Sequence, residues 1–214
     1  MMSPESDPPR DRFALLASGV NFSCEVLQAL REKHFLPTLL VVPEYPPAKK
    51  LSDPGTEIVT AAPRRRCLEL GQDIEIGYAP AARQAECARL IQQAAIDYLL
   101  VACWPYLISE ALITSPRKAA LNLHPSLLPD FRGPNPIEQQ LAWGTSRFGV
   151  TLHLLNEQFD RGDIIAQAAL SDIDEKADRT YLEYRSAIQG VELFIEAVKS
   201  HDHGWEPIRQ TAKL

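Results

Sequence analysis

The run DYLLVAC, residues 97–103, decides the fold. It is almost continuously apolar and shows none of the alternation of a strand with one wet face. Such a run fits a strand in a parallel sheet that is covered on both faces. Outward from it the same pattern recurs. RFALLAS (12–18), TLLVV (38–42), DIEIGYA (73–79) and AALNL (119–123) read as further strands. FGVTLHLL (148–155) alternates like a strand, and DIIAQAAL (163–170) makes another. Helical spacing fills the gaps. Phe22, Val26, Leu27 and Leu30 share one face of a helix over 22–33. Residues 81–94 are alanine-rich and helical, 106–114 read as a short helix and 136–143 as another. A long helix over 178–199 carries the stripe Tyr181, Tyr184, Ile188, Val191, Phe194, Ile195 and Val198. Strand–helix alternation of this kind predicts an α/β fold, with a mainly parallel sheet and helices on both faces. The pattern breaks down between 43 and 71, a long connection with room for one short strand at EIVTA (57–61).

A chain of 214 residues, 45% hydrophobic and 23% charged, has the size and composition of one large globular domain. The ordered domain is expected over 12–200. Residues 1–11 are polar and proline-containing and read as a disordered tail, and 201–214 as a C-terminal tail. The formal net charge of −6 gives no general support for a nucleic-acid partner. Cys24, Cys67, Cys87 and Cys103 form no C-x-x-C pair, which argues against a zinc ribbon or redox motif and for a reducing, cytoplasmic setting. His201 and His203 fit a solvated tail better than a metal site, and no metal is expected. No stretch approaches the roughly 18 apolar residues of a membrane-spanning helix.

Chemistry concentrates in LNLHPSLLPDFRGPNPIEQQ (121–140). Asn122 and His124 stand two apart on a strand, so they face one side. In open α/β sheets that strand end is where ligands collect. An amide and an imidazole together suit charge developing on a carbonyl oxygen. Strand-end capping by Asn beside a hydrogen-bonded His is the structural alternative. In NEQFDRGDII (156–165), Asp160 lies in a polar break where Gly162 allows a tight turn. Its carboxylate could orient the imidazole or accept a proton, or make an Asx-type turn bond. VACWPYLIS (101–109) could offer backbone groups to a flat heteroaromatic ligand, with Trp104, Leu107 and Ile108 as walls, or pack as plain core. ASGVNFS (17–23) lacks the G-x-G-x-x-G pattern, yet its strand–turn–helix could meet an anion.

Taken in order, Asn122-Leu-His124-Pro-Ser126-Leu-Leu-Pro129, Arg132-Gly133, Pro136-Ile137, Gly149-Val-Thr151 and Asp160-x-Gly162-Asp-Ile-Ile165 resemble the formyltransferases that use 10-formyltetrahydrofolate. The likeness runs from about Arg12 to Gln167. Arg132-Gly133 with Pro136-Ile137, and Gly19 with Phe22, look most like the catalytic domain of the methionyl-tRNA formyltransferases. The resemblance implies a Rossmann-like sheet, a catalytic trio of Asn122, His124 and Asp160, and 10-formyltetrahydrofolate as formyl donor. It implies a folate site at Trp104, Tyr106, Leu107, Ile108 and Asp160, an acceptor near Gly19, Asn21, Ser126 and Arg132, and a cis peptide at Leu128-Pro129. In the implied reaction Asn122 and His124 hold the formyl oxygen while Asp160 tunes His124. The tRNA-binding C-terminal domain of the methionyl-tRNA enzymes is not expected here, and tRNA is one acceptor among several. A small amine (an amino-sugar nucleotide or glycinamide ribonucleotide) is the alternative acceptor. A formyltetrahydrofolate hydrolase and a non-catalytic folate-binding paralogue are the alternative functions.

Overall fold

Seven strands form one sheet in the computed structural model, which describes residues 11–18, 20–43, 68–79, 84–104, 106–174 and 176–210. The strands are β1 (Phe13–Ala17), β2 (Leu39–Pro43), β3 (Glu75–Ala79), β4 (Tyr98–Ala102), β5 (Ala119–His124), β6 (Gly149–Leu154) and β7 (Ile164–Ala169). Their order across the sheet is β3-β2-β1-β4-β5-β6-β7. Pairings from β3 to β5 are parallel, and β6 runs antiparallel to both its neighbours. The mainly parallel α/β sheet is therefore as expected. The predicted strand at 57–61 and Gly19 lie outside the described residues.

Period-two burial assigns the helices to opposite faces. Phe13, Leu15 and Ala17 of β1, with Tyr98, Leu100 and Ala102 of β4, pack beneath α1 (Asn21–Glu32) and α5 (Arg179–Ser200). Ala14, Leu16, Leu99 and Val101 face α2 (Gln84–Gln93) and α3 (Glu110–Ile113). Both β1 and β4 are buried throughout, which is why their sequences show no polar alternation. Phe194 of α5 anchors the first face, edge-on to Phe13, Phe35 and Tyr98.

Boundaries follow local chemistry. α5 starts after Asp178, whose side chain accepts the Tyr181 N–H as an N-cap. The helix expected over 106–114 begins only at Glu110. Residues just before it are held open by Gln84, which donates to the Leu107 carbonyl and accepts the Ser109 N–H. α4 (Pro136–Trp143) opens with proline in its first turn and ends at Gly144, whose φ of 68° suits glycine. The stretch expected as a tail packs onto the domain as far as Gln210: His201–His203 form a 3-10 turn, and Ile208 bridges to Ile164.

Candidate active site

The parallel strands β1, β4 and β5 deliver their last residues to one edge, and β5 reaches furthest in chemistry. Asn122 pairs with Val101 of β4 on one side and His153 of β6 on the other. His124 lies opposite Thr151. Cross-strand partners share a face, so Asn122, His124, Thr151 and His153 form one polar block inside an apolar sheet. Asp160 enters from the β6–β7 loop at a φ of 52°.

Hydrogen bonds fix this group. Asn122 Nδ2 donates to His153 Nε2 at 3.0 Å and, more weakly, to Asp160 Oδ1 at 3.4 Å. His153 Nδ1 faces the Leu154 carbonyl at 2.8 Å and must carry the proton there, which leaves Nε2 as acceptor. His124 Nε2 meets the Phe131 carbonyl at 2.8 Å, so Nε2 is protonated and Nδ1 is turned to Asp160 Oδ1, 3.4 Å away. The second Asp160 oxygen accepts the Gly133 N–H at 2.9 Å. Burial pushes the His124 imidazole below its ordinary value, against the opposing pull of Asp160 and the Phe131 carbonyl. Burial would raise the Asp160 carboxyl, yet it lies below the usual carboxylate range, with the Gly133 N–H and Asn122 Nδ2 as the donors bonded to it. The pair at rest is a neutral imidazole with a lone pair on Nδ1, beside a carboxylate.

The loop after β5 is rigid for reasons beyond its prolines. Thr151 Oγ1 donates to the Ser126 carbonyl at 2.6 Å and accepts the Leu128 N–H at 3.0 Å. Gln167 donates to the Leu128 carbonyl, and Gln140 to the Pro125 carbonyl, each at 2.8 Å. The Leu128-Pro129 peptide is cis.

In front of the trio opens a cavity of about 570 Å³, within the range of small-molecule sites. Asn122, His124 and Asp160 all line it. Its walls are Phe22, Trp104, Pro134, Ile137 and Phe159, together with Cys103. Beyond the trio lies an ionic cluster in which Arg179 pairs with Glu138 and, at 2.8 Å, with Glu183. Burial pushes the Glu183 carboxyl up.

The other sequence candidates are more scattered. Trp104 lines the cavity. Ile108 is buried in the sheet's second core, Tyr106 packs against that core, and Leu107 is exposed. Asn21 is the exposed first residue of α1, between the lining residues Val20 and Phe22. Ser126 is fully buried and donates to the Asp130 carbonyl. Arg132 turns its guanidinium toward Gln210 and the Asp160 carbonyl. Sequence reading missed His153, Glu183 and Gln210. His153 carried one usable signal: it is the polar residue of an otherwise apolar strand half.

Comparison with known proteins matches this architecture. The formyl transferase family model covers residues 11–198. A methionyl-tRNA formyltransferase of Anaeromyxobacter dehalogenans is 33% identical over 205 residues, 94% of this chain and 62% of the relative. One from Ehrlichia chaffeensis is 35% identical over 116 residues, 54% of this chain and 38% of the relative. This chain thus spans less than two thirds of the length of either. The crystal structure of glycinamide ribonucleotide transformylase 1 from Symbiobacterium toebii superposes with a TM-score of 0.66 at 20% identity, covering 98% of this chain and all of that one, and shows the shared fold. With its sheet, its polar edge and a family match over most of its length, the chain belongs to the formyl transferase family.

Proposed function

We propose that the protein transfers a formyl group from 10-formyltetrahydrofolate to an acceptor amine, with Asn122, His124 and Asp160 as the catalytic residues. One observation carries this reading: a buried neutral imidazole with its Nδ1 lone pair beside an ionised carboxylate, both on the wall of a ligand-sized cavity. That arrangement takes up a proton from an attacking amine and stabilises the imidazolium that results.

The attacking nitrogen bonds to the formyl carbon, and negative charge moves to the formyl oxygen. Asn122 keeps its shorter bond to His153. Its longer bond, to Asp160, is the one free to turn to that oxygen. His124 Nδ1 takes the amine proton. As the intermediate collapses, the bond from carbon to the folate N10 breaks and His124 returns the proton to N10. The products are a formamide and tetrahydrofolate. Trp104 and Phe159 offer aromatic surface to the flat donor.

Methionyl-tRNA is the first acceptor to test, because the curated relatives are named for it. Glycinamide ribonucleotide and amino-sugar nucleotides complete the panel. Products are detected by mass after incubation with 10-formyltetrahydrofolate. Formylation of one acceptor by the wild type, lost in His124→Ala and Asp160→Ala, is the expected result. Undiminished formylation by those variants refutes the site.

A further inference from the structure

Beyond α5 the chain doubles back and crosses the sheet edge beside the site. Gly204 reverses it at a φ of 82°. The Trp205 indole N–H donates to the Ala197 carbonyl at 2.9 Å and ties the start of the segment to α5. Ile208 then exchanges both backbone bonds with Ile164, each 2.8 Å, as a one-residue strand against β7. Ile164 lies four residues after Asp160. This strap ends, among the described residues, at Gln210.

The Gln210 amide spends all its hydrogen-bonding capacity on the catalytic loops. Its Nε2 donates to the Asp160 carbonyl at 3.1 Å and to the Gly162 carbonyl at 2.7 Å. Its Oε1 accepts Arg132 Nη2 at 2.5 Å and Nε at 3.0 Å. Arg132 Nε also reaches the Asp160 carbonyl at 3.2 Å. This orientation is forced by chemistry: guanidinium only donates and carbonyls only accept, so a flipped amide would face like against like.

The two loops held in this way carry the two ends of the proton-handling pair. On either side of Arg132, Phe131 accepts from His124 Nε2 and the Gly133 N–H holds Asp160 Oδ2. The other loop holds Asp160 itself in the left-handed region. Gly162 follows, where an added Cβ would lie 1.7 Å from the Leu154 carbonyl oxygen. That loop has little freedom on its sheet side. On its outer side, its carbonyls rest on Gln210 and Arg132.

We propose that Gln210 is a positioning residue for formyl transfer: from the C-terminal strap it locks the 131–133 and 160–162 loops together and so sets the separation of His124 and Asp160. This rests on the function proposed above. Gln210 touches no reacting atom, so its effect belongs in turnover rather than in acceptor binding.

The test uses the full chain and the variants Gln210→Ala, Gln210→Met and Gln210→Glu. Methionine keeps the length without the hydrogen bonds. Glutamate keeps the acceptor for Arg132 but sets an oxygen against two carbonyl oxygens. All three are expected to lose about 10- to 100-fold in kcat, the scale of an ångström-sized misplacement. The acceptor KM and the binding of a folate analogue are expected to change by less than about twofold. Wild-type kcat in Gln210→Ala, recovery in Gln210→Met, or recovery in Gln210→Glu overturns the proposal, as does a collapse of folate-analogue binding alongside kcat. Amide hydrogen exchange separates this from the functional reading, since it needs no substrate. Faster exchange at 160–162 in Gln210→Ala supports the clamp, and unchanged exchange overturns it, even if the wild type formylates no amine.

Discussion

His124 is held so that one nitrogen is committed and the other is available. Its Nε2–H is spent on the Phe131 carbonyl, and Phe131 sits at a φ of 57° to present that oxygen. Nδ1 is turned to Asp160 Oδ1, 3.4 Å away. With His124 as the proposed base, His124→Ala is expected to lose about 10²–10⁴ in turnover, with the thermal midpoint near that of the wild type. Folded state and pH are linked through the same residue. Burial depresses the His124 imidazole, so the folded protein binds that proton less readily than the unfolded chain. Its contribution to stability is present above about pH 6.5 and fades as pH falls toward its folded value. The depressed Asp160 carboxyl acts in the same direction in a more acidic window, its contribution full above about pH 4 and lost below it. The acid limb of kcat/KM is therefore expected below pH ~6.5. Asp160→Asn removes a charge that pulls the imidazole upward, so the limb moves to still lower pH. A limb that moves up in Asp160→Asn contradicts this electrostatic reading. Asn122, His124 and Asp160 stood out in sequence as candidates because they sit in short local patterns, two apart on a strand and beside a turn glycine, but only the family resemblance joined them into one trio. His153 was not, because its role is a cross-strand contact with Asn122, and alternation along β6 says nothing about which strand lies opposite.

Elements place these residues, and the placement depends on close backbone approach. Gly162 is the tightest case, since a methyl group there would overlap the Leu154 carbonyl. Gly162→Ala is expected to destabilise by about 1–3 kcal/mol, the usual range for overpacking, and to lower activity by shifting Asp160. Chemical denaturation measures the first effect, and an unchanged midpoint would mean that the loop yields freely. Phe194 tests the opposite kind of packing. It fills the space between Phe13, Phe35 and Tyr98, and Phe194→Ala is expected to cost about 3–5 kcal/mol. Strand positions were readable because burial on both faces leaves uninterrupted apolar runs such as DYLLVAC. The start of α3 was not: Gln84, more than twenty residues upstream, holds Leu107 and Ser109 out of the helix. The strap at 205–210 was hidden for a similar reason. Its bonds reach back to Arg132, Asp160 and Ile164, and a short polar C-terminal stretch looks the same whether it docks or not.

At the scale of the whole molecule, the sheet brings residues from distant parts of the chain to one edge and covers both its faces with helices. Among the described residues no helix is long and apolar enough to cross a membrane, and no group of three or more His, Cys, Asp or Glu could hold a metal. A folate analogue that fills the cavity binds the folded state alone, so at a hundred times its Kd it is expected to add about 2.7 kcal/mol of stability. Fluorescence of Trp104, which lines the cavity, offers a second readout of the same event. Binding alone does not separate a transferase from a hydrolase or from a folate-binding protein, whereas the fate of the formyl carbon does. The most direct measurement follows an isotopically labelled formyl group on 10-formyltetrahydrofolate through one turnover, with acceptor amine present, in wild type and in His124→Ala. The proposed function predicts label in a formamide, and its loss in the variant. Label appearing only as formate, or remaining wholly on the folate with every acceptor, would contradict the account.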